Sequence, residues 1–373
     1  MSQIPPPLRG DIEIAPIEHE GRPVFLLHDP ESENDKALAL SPAGMAIAAL
    51  LDGKRTSSEI AAQFTREVGS PIKASDLERV VADLGKAGLL EDDAAKAARK
   101  KRLDDFRASP VRKPAFSPSV YPAQGLELAN FLGGFFRDPK GPGKPTADKP
   151  SAPPLIGLAS PHIDFRRGGP SYAHAYQALS ETAPPDAIVA LGVAHVSPPS
   201  PWVMTQKAYQ TPYGDMAVDR ELYGAIRKQL WYDPTDDEIV HRKEHSLEFQ
   251  ALWLRYLWRE KTPAWVPILC SAFERFADDR APSKVPTIEQ AILSIGEQLV
   301  ASKKRILILA GIDLAHVGPR FGDEIALTPE LEKKIEGEDR GSLAKAAALD
   351  ADGFYLSVIE GGHWRKVCGL SAF

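Results

Sequence analysis

The stretch from Leu155 to Val196, LIGLASPHIDFRRGGPSYAHAYQALSETAPPDAIVALGVAHV, limits the fold more than any other part of the chain. Two short apolar runs, 155–159 and 187–193, read as buried strands. Each runs straight into a loop carrying a histidine, His162 and His195. Residues 171–179 between them read as a helix. A strand–helix–strand unit implies parallel strands and a right-handed crossover. In open α/β sheets, ligands sit beyond the carboxyl ends of the strands. The two histidines are therefore expected to face one crevice, and that crevice to hold a metal ion.

The rest of the chain after residue 118 extends the same pattern. A helix is expected within 119–136. Helices are expected over 218–230, 241–258, 287–302 and 329–349, and a helix followed by a turn over 350–370. Strands are expected at 264–270 and at the start of 305–318. Alternating strands and helices give a doubly wound α/β sheet flanked by helices. The turn-rich segment 196–214 is expected to cross the mouth of the crevice. The segment 138–154 carries six prolines in seventeen residues and cannot bury a core, so an extended mobile loop is expected there.

Residues 1–95 read as a unit of their own. A strand at 24–29 precedes three helices. One opens after Ser41 with Pro42 in its first turn, one begins with a capping-box pattern at Thr56–Glu59, and one carries an apolar face of Leu77, Val80, Val81 and Leu84. This is a small winged-helix-like domain. From LALSPAGMAIAALLDGKRTSSEIAAQF through DLERVVADLGKAGLL it resembles the PqqD-type domains of modified-peptide pathways, which implies a peptide gripped along a strand edge. A packing module without a ligand is the alternative. The unit contains 9 Lys/Arg against 17 Asp/Glu, the wrong sign for phosphate contacts. Residues 96–118 read as a polar linker, with a helical spacer ending near Pro110 and a basic run, Lys96 to Arg102, on a solvated face. The MEMO-like domain described below would then occupy 119–373.

The totals exclude several classes. With 373 residues, 43% of them hydrophobic, a sizeable core needs no covalent staples. The two cysteines, Cys270 and Cys368, make a disulfide framework implausible and a reducing cytoplasm the expectation. A net charge of −6 argues against nucleic-acid or membrane partners. The N-terminus has no signal-peptide pattern, and no run is long enough to span a membrane.

His162, Asp164, His195, Asp313 and His316 all follow apolar strands. Neutral imidazole suits iron, copper and zinc, Asp313 can fix a ligand imidazole, and His245 and His316 can move protons near neutral pH. The ordinary reading competes, since a lone histidine after a strand is more often hydrogen-bonded than metal-bound. His174, inside a helix, reads as packing or capping. His19, His28, His241 and His363 have no supporting neighbours. Cys270, at a strand end, reads as a small hydrophobe.

Taken together, SPHIDFRRGGPSYAHAY, LGVAHV, KEHSLEF, AGIDLAHVG and VCG resemble the MEMO family, whose bacterial members are called AmmeMemoRadiSam system protein B. The resemblance runs from about Tyr121 to the chain end and extends to class III extradiol, LigB-type dioxygenases. It implies His162, His195 and Cys368 as metal ligands and His316, Asp313 and His245 as catalytic residues. Glu244 and Asp164 are expected to line the pocket, Asp164 standing where relatives carry a small residue. The resemblance implies iron or copper, with zinc as an alternative. A radical-SAM protein and an AMMECR1-like protein are the implied partners. The family continues past the Cys-Gly pair, which puts the hold on Cys368 in question. Three functions follow: a metal-dependent redox enzyme, a scaffold capturing a peptide or radical-SAM partner, and a metal hydrolase. Neither the substrate nor the oligomeric state is fixed by these residues.

Overall fold

The computed structural model describes residues 4–32, 37–143, 153–196, 198–277 and 280–373. The chain divides into two compact units, Met1–Asp105 and Phe106–Phe373. Most of the proline-rich stretch expected to be mobile, 144–152, lies outside the described residues.

The first unit begins with a hairpin, β1 (Glu13–His19) and β2 (Arg22–His28). Its two turn residues, Glu20 and Gly21, both have positive φ (51° and 72°), the geometry of the primed turns that match strand twist. Strand β3 (Leu38–Leu40) completes the antiparallel sheet, in the order β1-β2-β3. Helix α1 (Pro42–Ala49) is capped by Ser41, whose side chain accepts from the Gly44 amide. Helix α2 (Ser57–Val68) has a full Thr56–Glu59 capping box. Helix α3 (Ala74–Lys86) turns Leu77, Val80 and Leu84 inward, and these pack with Leu27, Ile47 and Phe64 in a separate core. The sequence pattern foretold one strand here. The wholly exposed β1 has no buried face to leave an apolar signal.

Helix α4 (Asp93–Ala108) occupies most of the segment expected as a linker, and β4 (Val111–Arg112) follows it. Strand β4 pairs in parallel with β8 (Ala208–Tyr209). The boundary between the units thus falls inside a helix, and the second unit starts before residue 119.

The second unit is built on a five-stranded sheet, in the order β5 (Gly157–Ser160), β10 (Ile306–Gly311), β6 (Ala187–Val193), β9 (Trp265–Cys270), β7 (Trp202–Met204). The first four are parallel, and β7 closes one edge antiparallel to β9. It lies in the segment read as a crossing loop; three residues are too few for a period-two signal.

Alternation along β6 sends Ile188 and Ala190 into one core, and Ala187 and Val189 into the other. The first core holds α5 (Gly125–Arg137), α6 (Phe165–Ser180) and α8 (His245–Trp258), around Tyr172, Tyr176 and Trp253. The second holds α7 (Arg220–Arg227), the short α9 (Glu274–Ala277), α10 (Pro286–Ala301) and α12 (Ala351–Ile359). Helix α11 (Pro329–Ala347) packs on α12. Helices on both faces of a mainly parallel sheet make the fold doubly wound. No helix among the described residues is long and apolar enough to cross a membrane.

Candidate metal centre

Strands β5, β10 and β6 are neighbours, and the residues just past their carboxyl ends converge. His162 follows β5, His195 follows β6, and Asp313 and His316 follow β10. The loop after α12 returns Cys368 to the same point. Its Sγ lies 3.3 Å from His162 Nε2 and 3.9 Å from His316 Nε2. The His162 and His195 rings are 5.1 Å apart, and His245 stacks on His195 at 4.7 Å.

Each imidazole is held by its far nitrogen. His162 Nδ1 donates to the Gly311 carbonyl at 2.9 Å, His195 Nδ1 to the Glu244 carboxylate at 3.0 Å, and His316 Nδ1 to the Leu314 carbonyl at 2.8 Å. Because these acceptors keep the proton on Nδ1, Nε2 is the nitrogen that His162 and His316 turn toward Cys368, and the one each ring offers a metal ion once its proton is displaced. Asp313 accepts the His162 backbone amide at 3.0 Å and so fixes the start of that loop.

Glu244 is the N-cap of α8 and is buried. Its carboxylate accepts the Ser246 and His195 amides at 2.9 and 3.1 Å and lies 3.4 Å from His245 Nδ1. Ser246 binds both the amide and the carbonyl of Val193, joining the start of α8 to the end of β6. The Glu-His-Ser run therefore places three functions on successive residues.

Charge follows from these contacts. Burial pushes the Cys368 thiol up, but His162, His195 and His316 outweigh it and bring it down to about 4. Burial pulls His195 down, yet Cys368 and Glu244 raise it to about 10. His162 is raised, with Cys368 and Asp313 overcoming its burial, and His316 is raised chiefly by Cys368. Burial lowers His245 to about 4, and Glu244 only partly opposes it. Burial raises Glu244, but the His195 bond leads the contacts that bring it to about 2. The cluster thus pairs a Cys368 thiolate with a protonated His195, and His245 stays neutral at its edge.

The donor set fits a metal. One ligand atom from each of His162, His195 and Cys368 can be chosen so that all lie within 4.8 Å of one another. Bond lengths of ordinary Zn–N and Zn–S size put tetrahedral nitrogen and sulfur ligands about 3.5 Å apart, close to the 3.3 Å found between His162 and Cys368. A Cβ at Gly369 would stand 2.7 Å from Ile312 Cβ and 3.0 Å from the Asp313 carbonyl. Only glycine lets the Cys368 loop lie this close to the end of β10.

Other candidates fall elsewhere. Asp164 caps α6 by accepting the Arg166 amide at 2.8 Å, and among the described residues it makes no bond to the cluster. His174 is exposed and meets the Lys140 carbonyl. Cys270 is buried, and burial pushes its thiol up to about 12. His241 is fully buried between Tyr209 and the Val203 carbonyl, and burial lowers it to about 3.

Arg112 is the important residue that the pattern concealed. It is completely buried, pairs with Glu248, and donates to the carbonyls of His241 and Glu244 at 2.8 Å each. Glu248 also accepts from Tyr121 Oη and from the amides of Ala115 and Phe116. The segment 112–121 is thereby strapped across the first turns of α8, with the Phe116 ring edge-on to His245 at 5.5 Å.

A doubly wound α/β protein with a His/His/Cys cluster beyond three adjacent strands is the class that fold and site define. Within it, the chain belongs to the Memo-like protein family, whose model matches residues 112–372. It is 31% identical over 253 residues to a MEMO1 family protein of Methanopyrus kandleri, covering 67% of this chain and 80% of that one. Similarity to a MEMO1 family protein of Aquifex aeolicus is 27% over 306 residues, covering 82% and 75%. For a Thermus thermophilus relative of the same name the figures are 27% over 294 residues, 79% and 81%.

Proposed function

We propose that His162, His195 and Cys368 bind one transition-metal ion, iron or copper before zinc, and that the protein is a redox enzyme related to extradiol dioxygenases. The supporting observation is the mutual distance of the three ligand atoms, each imidazole already turned by its Nδ1 bond. When bound, such an ion supplies Lewis-acid and redox chemistry in the crevice. His316 Nε2, 3.9 Å from the Cys368 sulfur, is the group that carries a proton to or from a substrate. His245, kept neutral by its burial, stands beside the ligands with one donor and one acceptor nitrogen. Asp313 holds His162, and Glu244 holds His195. Anaerobic reconstitution followed by metal analysis tests this reading. We expect about one equivalent in the wild type and a loss of most of it in His162→Ala and Cys368→Ser. Less than about a tenth of an equivalent in the wild type refutes the reading. Full turnover with zinc in place of iron would favour a hydrolase.

A scaffold role has its own support in the first unit. A two-residue hairpin turn makes His19 and Arg22 a hydrogen-bonded pair. Counting back, residues 14, 16 and 18 turn their amides outward, and Pro16 has none to offer. The outer edge of β1 is thus blunted, and this reading seats an extended peptide along β3, the other edge of the sheet. A radical-SAM protein and an AMMECR1-like protein are the partners of this reading. Recovery of a peptide or such a partner equally by wild type and His162→Ala would favour capture over catalysis.

A further inference from the structure

Helix α11 carries no residue of the metal cluster, yet one buried side chain joins it to the site. Arg365 lies three positions before Cys368, in the loop after α12, and is 1% exposed. Its Nε lies 3.3 Å from Glu338 Oε2. Nη1 donates to Asp339 Oδ1 at 2.5 Å, and Nη2 donates to Ser342 Oγ at 2.9 Å and to the Ser357 carbonyl at 2.8 Å. The first three acceptors are on α11 and the last is on α12. A guanidinium is a planar fork with five N–H donors, and here two helices supply acceptors to all three of its nitrogens. Ser342 is the one buried residue of α11, and its hydroxyl meets this arginine.

The main chain of Arg365 makes a second tie. Its carbonyl accepts the His316 amide at 2.7 Å, which joins the Cys368 loop to the segment after β10. Asp339 spans the same joint. Its Oδ1 takes the guanidinium, and its Oδ2 takes the Ala315 amide at 3.4 Å. One carboxylate thus holds both segments whose side chains, Cys368 Sγ and His316 Nε2, stand 3.9 Å apart. The loop needs such a hold. Gly361, Gly362, His363 and Lys366 all have positive φ (72°, 81°, 54° and 48°), and non-glycine residues stay in that region only where their surroundings over-determine them.

We propose that Arg365 and Asp339 are a positioning pair that sets the spacing of His316 and Cys368, so that the α11–α12 hairpin acts on the centre without contributing a residue to it. Asparagine at position 339 keeps the shape but presents an NH2 donor either to the guanidinium or to the Ala315 amide, donor against donor. One of the two segments is then released. That the spacing serves a metal ion and a proton transfer rests on the function proposed above; the hold itself does not.

Amide hydrogen exchange in the metal-free full chain tests the hold. The acceptor of the His316 amide is the Arg365 carbonyl, so a change at Asp339 reaches this amide through a movement of Arg365. Leu309, buried in β10, reports opening of the sheet as a whole. In Asp339→Asn, exchange at His316 is expected to rise about tenfold more than at Leu309. A rise no larger than that at Leu309 overturns the proposal, because the pair then serves general stability alone. Should that variant fail to fold, Arg365→Lys takes its place. An ammonium keeps the charge but has no fork, so the same local rise is expected, and its absence refutes the hold. In the loaded chain, competition with a chelator is expected to show the metal held about tenfold more weakly in Asp339→Asn, and an unchanged affinity refutes the reach to Cys368. A wild type that takes up no metal sinks the function proposed above and leaves the exchange rates to decide this proposal. Metal uptake by the wild type, with no local rise at His316 in the variant, does the reverse.

Discussion

Glu244 accepts two backbone amides, and both its carboxylate oxygens lie 3.0 Å from His195 Nδ1, one of them also near His245. Replacing it with glutamine leaves the shape almost unchanged but can turn an amide N–H toward His195 Nδ1, donor against donor. The ring must then flip or swing, and the Nε2 lone pair leaves the sulfur. Metal affinity should fall about 10–100-fold in Glu244→Gln, read by competition with a chelator, with the far-ultraviolet dichroism unchanged. A Gly369→Ala variant should act by another route. The new methyl meets Ile312 and the Asp313 carbonyl just past β10, displaces Cys368, and should weaken thiolate-to-metal absorption more than it lowers thermal stability. The histidines were legible in the sequence because each follows an uninterrupted apolar strand. Cys368 was not, since nothing local marks it, and only the family resemblance pointed there. Arg112 was illegible for a stronger reason. In SPVRKP it reads as one more solvated cation, and its burial is decided by Glu248, 136 positions away.

Helix α8 gathers the site because both its first turns are gripped from outside. The Arg112–Glu248 pair is fully buried, so the two charges matter chiefly through their mutual compensation. Removing one partner strands the other, which costs about 3–5 kcal/mol, whereas replacing both with apolar residues of similar size is often near neutral. Arg112→Met should therefore lower the urea unfolding free energy by that amount, and Arg112→Met with Glu248→Leu should recover most of it. A double variant as unstable as the single one would mean that the amides and carbonyls matter more than the charges. The turn before α8 carries a pH dependence. His241 has its folded pKa lowered to about 3 by burial, so the unfolded chain takes up the proton first as pH falls. Its contribution is fully present above pH 6.5 and is lost on going down toward pH 3, by about 1.4 kcal/mol per pH unit. His241→Gln can still accept from Tyr209 and donate to Val203. It should flatten the decline in stability between pH 6.5 and pH 5 by about 2 kcal/mol, measured by denaturant unfolding at each pH. At this scale the long elements were readable and the short ones were not. β6 and β9 are buried on both faces and appear as continuous apolar runs. β4, β7 and β8 are two or three residues long and exist only through partners distant in sequence.

The core of the first unit shares no residue with the two cores of the second, which makes the stability of the chain a property of two units rather than one. Leu84 lies in the core of the first unit, buried with Leu27, Ile60 and Leu77. The cluster residues all belong to the second, between His162 and Cys368. Truncating Leu84 to alanine removes buried methyl groups and leaves a cavity, a loss of about 2–5 kcal/mol. A unit of roughly a hundred residues has little margin beyond that. Calorimetry of Leu84→Ala should therefore show one transition moved down by many degrees and another at the wild-type temperature. Metal content per chain should stay at the wild-type value, because none of the residues that hold the three ligands draws on the first core. A single transition that shifts as a whole, together with a fall in bound metal, would mean that the units fold as one cooperative body and that the cluster depends on both.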